Sequence, residues 1–342
     1  MVATRSSLRY PSTMLIYVDE AERAELAGGN LGNVLAAVRY GDAPTPRRSA
    51  PWLEARIPNR PLSSGPTEEF WPAEGRVARI EVEGAAAAAD DRSMFVSIEA
   101  QAGSGPGIDA LTFDAYQRLL HGVTRAGYPH LLRIWNYVPR IREASSGLDR
   151  YMLFCKGRSE AFAAQYGDAF PERLSAASAV GCPGEALVVH ALASREPGRH
   201  VENPRQVAAY RYPERYGPKS PSFARGTVAG EAWNGAVFVS GTASIVGHDS
   251  VFPGDPTRQA GETMRNVEAV LDEAGVLGQG GPLGPRLKSL RVYVRFPDQV
   301  DAIRASILAN TGTAVPTAWL QAEVCREELL VEIEATARAR RG

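Results

Sequence analysis

Two acids stand near the C-terminal end of the chain, alternating with apolar residues in Leu329-Leu-Val-Glu-Ile-Glu-Ala. Side chains of a strand point to opposite faces in turn, so Glu332 and Glu334 share one face. The other face, Val331 and Ile333, is apolar and belongs on a core. A carboxyl half-buried at such a place is pushed toward its neutral form and can serve as a general acid. An ordinary exposed face gives the same pattern, and the residues alone leave the two open. Arg133, Arg158 and Arg225 each stand beside aromatic or small residues. Guanidinium forks suit two-point capture of carboxylates. Any one of them also fits a surface ion pair, but two or more converging on a pocket would imply a small dianionic substrate.

Other chemistries find little support. The histidines at 121, 130, 190, 200 and 248 form no ligand pattern. His190 alternates with apolar residues as a core histidine does, and His248 follows Gly247 in a loop that could line a pocket. Cys155, Cys182 and Cys325 are an odd, widely spaced set, which makes no disulfide framework and fits a reducing cytoplasm. Gly278-Gln-Gly-Gly-Pro-Leu-Gly lacks the Gly-Lys-Ser/Thr ending of a phosphate loop and reads as a hairpin or surface turn. No Gly-x-Ser-x-Gly elbow occurs.

The elements that must position these residues occur as a repeat. Phe95-Val-Ser-Ile-Glu-Ala is echoed by Phe238-Val-Ser-Gly-Thr-Ala. Each predicts a strand, followed by a helix, a second strand (Leu132–Tyr137, then Leu290–Arg295), a second helix and an apolar strand (Ala186–Ala191, then Ala318–Val324). The helices are expected over Phe113–Thr124, Arg158–Tyr166, Gln259–Ala274 and Val300–Ala309. The acid-bearing closing strand is expected in the second copy only. A duplicated α+β unit buries its own interface, a natural place for a pocket. Ahead of the repeat, Met14–Val18 and Val77–Val82 read as strands, Ala43–Pro66 as a long surface loop, and Ala85–Asp91 as a linker or turn. Between the copies, Tyr210–Arg225 holds three prolines and a glycine, which preclude regular structure, yet also three tyrosines and three arginines. It reads as an ordered functional loop. The expected organisation is therefore 1–200, a connector over 201–230, and 231–342.

The 342 residues, 44% hydrophobic and 23% charged with a net charge of −1, describe a globular protein. Nothing in this balance favours nucleic acid or an anionic membrane. No apolar run approaches a membrane span, no signal peptide is evident, and the basic end from Arg338 to Arg341 reads as solvated.

Residues 225–337 resemble the RidA/YjgF-like deaminases, through Ser240-Gly-Thr-Ala, Gln259, Asn266 and Leu330-Val-Glu-Ile-Glu-Ala. That family is trimeric, with sites at subunit clefts. Its deaminases hold a substrate carboxylate with an arginine whose position falls near Thr317 here, which argues against imine deamination. The whole chain is more similar to the chorismatases. The matching segments are Arg133-Ile-Trp-Asn-Tyr-Val-Pro, Tyr151-Met-Leu-Phe-Cys-Lys-Gly-Arg158, Tyr212–Arg225, Gly241-Thr-Ala-Ser-Ile-Val-Gly-His248, and Cys325 with Glu332. The resemblance implies duplicated RidA/YjgF-like (chorismate-mutase-like) α+β units, mixed sheets packed against helices, in a pseudo-trimeric monomer. It also implies release of pyruvate from chorismate without metal or cofactor. Glu332 would be the proton donor, and Arg158 and Arg225 would hold the carboxylates. Tyr216 and Ser222 would donate hydrogen bonds, with Tyr151 and Arg133 nearby. Gly241 and Thr242 would let backbone approach the ring. Cys325 resembles the cysteine of the branch that forms 3-hydroxybenzoate, rather than the hydrolytic branch that forms a dihydroxycyclohexadienoate. It also fits a small buried hydrophobe.

Overall fold

The structure, a computed structural model, describes residues 16–18, 33–41, 52–62, 66–101, 107–145, 147–277 and 283–339. Residues 278–282 of the glycine-rich stretch and residues 340 and 341 of the basic end lie outside these.

Strands β1 (Ile16–Val18), β2 (Val34–Tyr40), β3 (Leu53–Ile57) and β4 (Glu68–Pro72) form a first sheet in the order β1-β4-β2-β3. Next come β5 (Ala78–Val82), β6 (Ala85–Ala89), β7 (Ser93–Gln101), helix α1 (Ile108–Arg125), β8 (His130–Pro139) and a short ladder of β9 (Ala144–Ser145) with β10 (Leu148–Asp149). Helix α2 (Arg150–Tyr166), β11 (Ala176–Cys182) and β12 (Ala186–Ser194) complete a second sheet, ordered β11-β8-β12-β7-β6-β5. The third sheet contains β13 (Arg199–Val201), β14 (Gly226–Val228), β15 (Ala236–Thr242), β18 (Leu287–Val294), β19 (Thr317–Gln321) and β20 (Val331–Arg338). Its order is β13-β14-β15-β20-β18-β19. Between its strands lie the ladder of β16 (Ile245–Val246) with β17 (Asp249–Ser250), and helices α3 (Pro256–Glu273) and α4 (Val300–Thr311).

The duplication is present, with its elements matched differently from the expectation. Strand β8 pairs parallel with β11 and antiparallel with β12, as β18 does with β19 and β20. The counterpart of the acid strand β20 is therefore β12, so the first copy has a closing strand too. His190 lies opposite Trp135 where Glu332 lies opposite Tyr293. The expected match of Ala186–Ala191 with Ala318–Val324 fails because β11 was not foreseen. Its Ala-Ala-Ser-Ala-Val-Gly-Cys has small residues on both faces, and both faces are largely buried, so it lacks alternation. Two further expectations are corrected. Leu53–Ile57, within the expected surface loop, is the parallel partner of β2, with Leu53, Ala55 and Ile57 buried. Ala85–Ala89 is a strand between β5 and β7, where alanines fit a closely covered sheet. The four-strand order of the first sheet also recurs in the other two, as β7-β12-β8-β11 and β15-β20-β18-β19.

Helices cover the outer faces of the two larger sheets. On α1, Ile108, Ala115, Tyr116, Leu119, Leu120 and Val123 form a buried stripe at helical spacing. On α3, Met264, Val267, Val270 and Leu271 do the same. Asp255 caps that helix by accepting from Arg258 N, with Pro256 in its first turn. Residues of all three sheets meet in one cluster that includes Trp71, Phe95, Trp135, Trp233, Phe238 and Tyr293. Among the described residues no helix is long and apolar enough to cross a membrane.

Candidate functional site

Strand β11, the edge of the second sheet, docks against the third. Ala176 N donates to Thr227 Oγ1 (2.8 Å), Ala177 N to Ser240 Oγ (2.9 Å), and Gly241 N to Ser178 Oγ (2.9 Å). These bonds satisfy edge amides that would otherwise be buried unpaired. Beside this seam opens a cavity of about 350 Å³, within the usual range for small-molecule sites. Ala177–Ala179 and α2 form one wall; Gly241, Ala243, Ile245 and the segment Cys325–Glu328 with Glu332 form the other. A second cavity, about 570 Å³, includes Arg140 and Arg295 in its lining, but both already pair with acids, Glu185 and Glu323.

Glu332 sits on β20 with 5% of its surface exposed. Burial, and then the nearby charge of Glu334, push its carboxyl up to about 8; Arg133 and Arg225 oppose them. At neutral pH it is a protonated acid. The ladder between β15 and β20 shifts register between Val239 and Thr242, placing Gly241 against this carboxyl. A Cβ at position 241 would lie 1.9 Å from Glu332 Oε1. Gly241→Ala must therefore displace the acid. A displacement of this kind costs about 10²-fold in rate. The expected result is that loss in kcat for a variant whose circular dichroism is unchanged; near-parent turnover would show that the close approach does not matter.

Helix α2 begins eight positions ahead of its expected start at Arg158. Asp149 caps it by accepting from Met152 N at 2.7 Å. Arg158 is thus mid-helix. The adjoining Gly157 lets α2 press on α1: a Cβ there would fall 2.0 Å from Asp109 O. The Arg158 guanidinium is 2% exposed and lies over the rings of Tyr116 (5.2 Å) and Phe162 (5.8 Å). Its Nε and Nη2 have no hydrogen-bond partner. Arg225 is 4% exposed; its Nη2 donates to Tyr212 Oη (2.8 Å) and Val207 O (3.0 Å), and its Nε has no partner. Buried charge-bearing donors left unpaired are costly. Two of them in one cavity mark a place for anions.

The expected loop is ordered, and joins β13 and β14 of the third sheet. Tyr216 Oη donates to His248 O (2.7 Å), tying the loop to the β16–β17 ladder. His248 itself is not in the lining. Tyr151, Tyr216 and Cys325 do line the cavity. Burial, and then Glu332, raise the Cys325 thiol to about 12, so it stands there as a neutral S–H. Three expected residues fall outside the lining. Ser222 is buried between Pro221 and Phe223, which do line it, and its Oγ is unpartnered. Thr242 turns its hydroxyl to Ser240 O at 2.8 Å. Arg133 lies behind Ser178, bonded to its Oγ, and pairs with Glu334 at 3.1 Å.

Sequence reasoning missed Ser178, Tyr212, Arg142 and Arg326 in the lining. Tyr212 was inside the loop already singled out. Ser178 went with the unforeseen β11. Arg142 is neutralised by Glu323 and Glu327, and Arg326 is held by His248 O (2.9 Å) and Ser250 Oγ (3.0 Å). Among the described residues lining this cavity, that leaves Arg158 and Arg225 as the cations with unpartnered buried donors.

Residues 69–193 match the family model described as chorismatase FkbO/Hyg5-like, N-terminal. A 3-hydroxybenzoate synthase of Streptomyces hygroscopicus is 34% identical over 316 residues, covering 88% of this chain and 91% of that protein. A chorismatase of Streptomyces hygroscopicus is 35% identical over 271 residues, 78% of each. A chorismatase crystal structure superimposes with a TM-score of 0.84 at 28% identity, covering 97% of this chain and all of that one, 100%.

Proposed function

Since the chain belongs to the chorismatase family, we propose that it cleaves the enolpyruvyl ether of chorismate and releases pyruvate, with 3-hydroxybenzoate as the second product. The observation that carries this reading is a neutral buried acid, Glu332, sharing one cavity with two guanidiniums that each keep buried donors without a partner. Chorismate has two carboxylates and an enol ether, and the cavity offers one partner for each.

Arg225 acts on the Glu332 carboxyl electrostatically, whereas Arg158 is not among the charges that do so. We therefore assign the enolpyruvyl carboxylate to Arg225 and the ring carboxylate to Arg158. This orientation brings the vinyl methylene to the acid. Glu332 gives its proton to that carbon, and the ether oxygen shares the resulting positive charge. The neighbouring ring hydroxyl then attacks the ring carbon that bears the ether. The carbon–oxygen bond breaks, its electrons complete the ketone of pyruvate, and the hydroxyl proton returns to Glu332. The arene epoxide so formed opens and loses its ring proton to give 3-hydroxybenzoate, and no water is consumed. The name of the relative at 34% identity and the neutral Cys325 beside the acid support this branch over the hydrolytic one.

Chromatography of the products from chorismate tests the reading. Equal amounts of pyruvate and 3-hydroxybenzoate are expected. A non-aromatic diol, heavier by one water, would move the chain to the hydrolytic branch. No pyruvate above the spontaneous background would reject the activity.

A further inference from the structure

A line of four buried charges runs from the N-terminal sheet to the cavity. Glu69, on β4, accepts from Arg291 Nη2 through both carboxylate oxygens (2.6 and 2.5 Å). Arg291 Nη1 donates to Glu334 Oε2 on β20 (2.9 Å). Glu334 Oε1 meets Arg133 Nη2 at 3.1 Å. Arg133 in turn bonds Ser178 Oγ, which also accepts from the amide of Gly241, the glycine pressed on Glu332. Trp135 Nε1 (3.0 Å) and Tyr293 Oη (3.1 Å) complete the shell of Glu334. Exposure is 1% at Glu69, 3% at Arg291, 6% at Glu334 and 2% at Arg133. Two acids and two arginines make the line neutral in sum.

Glu332 is the next side chain along the same face of β20. We propose that Glu334, kept ionised by Arg133 and Arg291 and balanced by Glu69 of the N-terminal sheet, is a positioning residue whose fixed negative charge keeps Glu332 protonated for the reaction. This rests on Glu332 being the acid. The groups facing Glu332 are Arg133 from β8, Arg225 ahead of β14, Tyr151 from α2, Cys325 from the preceding segment and Tyr293 across the ladder on β18. Burial raises the tyrosines at 151 and 293 and Cys325, so they are neutral near pH 7. Only the two arginines oppose the effect of Glu334. Burial also pushes the Glu334 carboxyl up, but Arg133 and Arg291 outweigh it and hold the group below the usual range. Without Glu69 the line would carry one net positive charge behind the acid, added to that of Arg225. The N-terminal sheet thereby takes part in the chemistry at a distance.

A purely structural pin between sheets would hold the fold but leave the acid's titration alone, so the test reads that titration. The carboxyl carbon of Glu332 is followed by NMR against pH in the full chain, alongside the pH profile of pyruvate release. Glu334→Gln should lower the midpoint by about one pH unit or more, a tenfold change in the ionisation constant. Glu69→Gln should lower it by less. The double variant Glu69→Gln with Arg291→Gln removes one charge of each sign and should return it toward the parent value. If Glu334→Gln does not fold, the Glu69 pair decides the matter. Midpoints that stay put in the folded variants overturn the proposal. Midpoints that move while the alkaline limb of the rate does not would uphold the tuning and instead dismiss Glu332 as the acid.

Discussion

Glu332→Gln releases pyruvate from chorismate about 10³-fold more slowly than the parent chain, and it folds. The magnitude is that of losing a positioned general acid. Glutamine is nearly isosteric with the neutral carboxylic acid that the cavity already holds, so the close approach of Gly241 is kept. Activity of the parent should be level below about pH 8 and fall above it, as the carboxyl loses the proton it must deliver. The same shift has a stability consequence. The carboxyl stands at about 8 in the folded chain against an ordinary 4.5. Between those values the folded chain holds a proton that the unfolded chain has lost. This contribution is complete below pH 4.5, declines as pH rises, and is gone above about 8. Its slope is at most about 1.4 kcal/mol per pH unit. In Glu332→Gln that part of the slope disappears. Denaturant titrations at several pH values, with a pyruvate assay, check both statements. Parent-like turnover in a folded variant would remove Glu332 from the mechanism.

Arg158→Met should separate binding from folding. The parent buries a guanidinium with two donors unmatched, and no ion pair to it is found among the described residues. Such a charge burdens the empty protein until a carboxylate arrives. Methionine fills similar space between Tyr116 and Phe162 and brings no charge. The thermal midpoint should therefore rise by about a few degrees. The substrate, in contrast, loses a charge-assisted contact. A loss of about 10²–10³-fold in kcat/KM follows, seen mainly in KM because the contact holds ground and transition states alike. Calorimetry and steady-state kinetics on one preparation suffice. A lower midpoint would mean that Arg158 is a structural residue, and an unchanged KM would mean that it does not meet the substrate.

Much of this site was legible because its chemistry rides on regular patterns. The acids of β20 announced themselves by alternation, α3 by its apolar stripe and caps, and the Tyr210–Arg225 loop by aromatic and cationic residues among prolines. What escaped had no period to show. Strand β11 is built of small residues that suit a seam between sheets, where bulky side chains would force the sheets apart. Strand β3 is short and follows a polar, proline-rich stretch, so its parallel partner β2 defines it more than its own residues do. The first turn of α2 carries Tyr151 and Met152 toward the cavity while Arg150 bonds Pro139 O, and apolar spacing becomes helical only beyond them. Thr242 and Ser222 resembled site residues by position in a motif. Neither lines the cavity, and the Thr242 hydroxyl is taken up by Ser240 O, a local pairing that a motif does not encode.

The recurrence of one four-strand order in three sheets has a bearing on assembly. Where a cleft lies between separate polypeptides, dilution below their dissociation constant dismantles it. Here the seam between β11 and β15 joins segments of one polypeptide chain, so its two sides stay at a fixed, high effective concentration. Each of the three sheets is also free to drift in sequence by itself. One can keep an acid at the position where another carries His190, a freedom that identical subunits encoded once do not have.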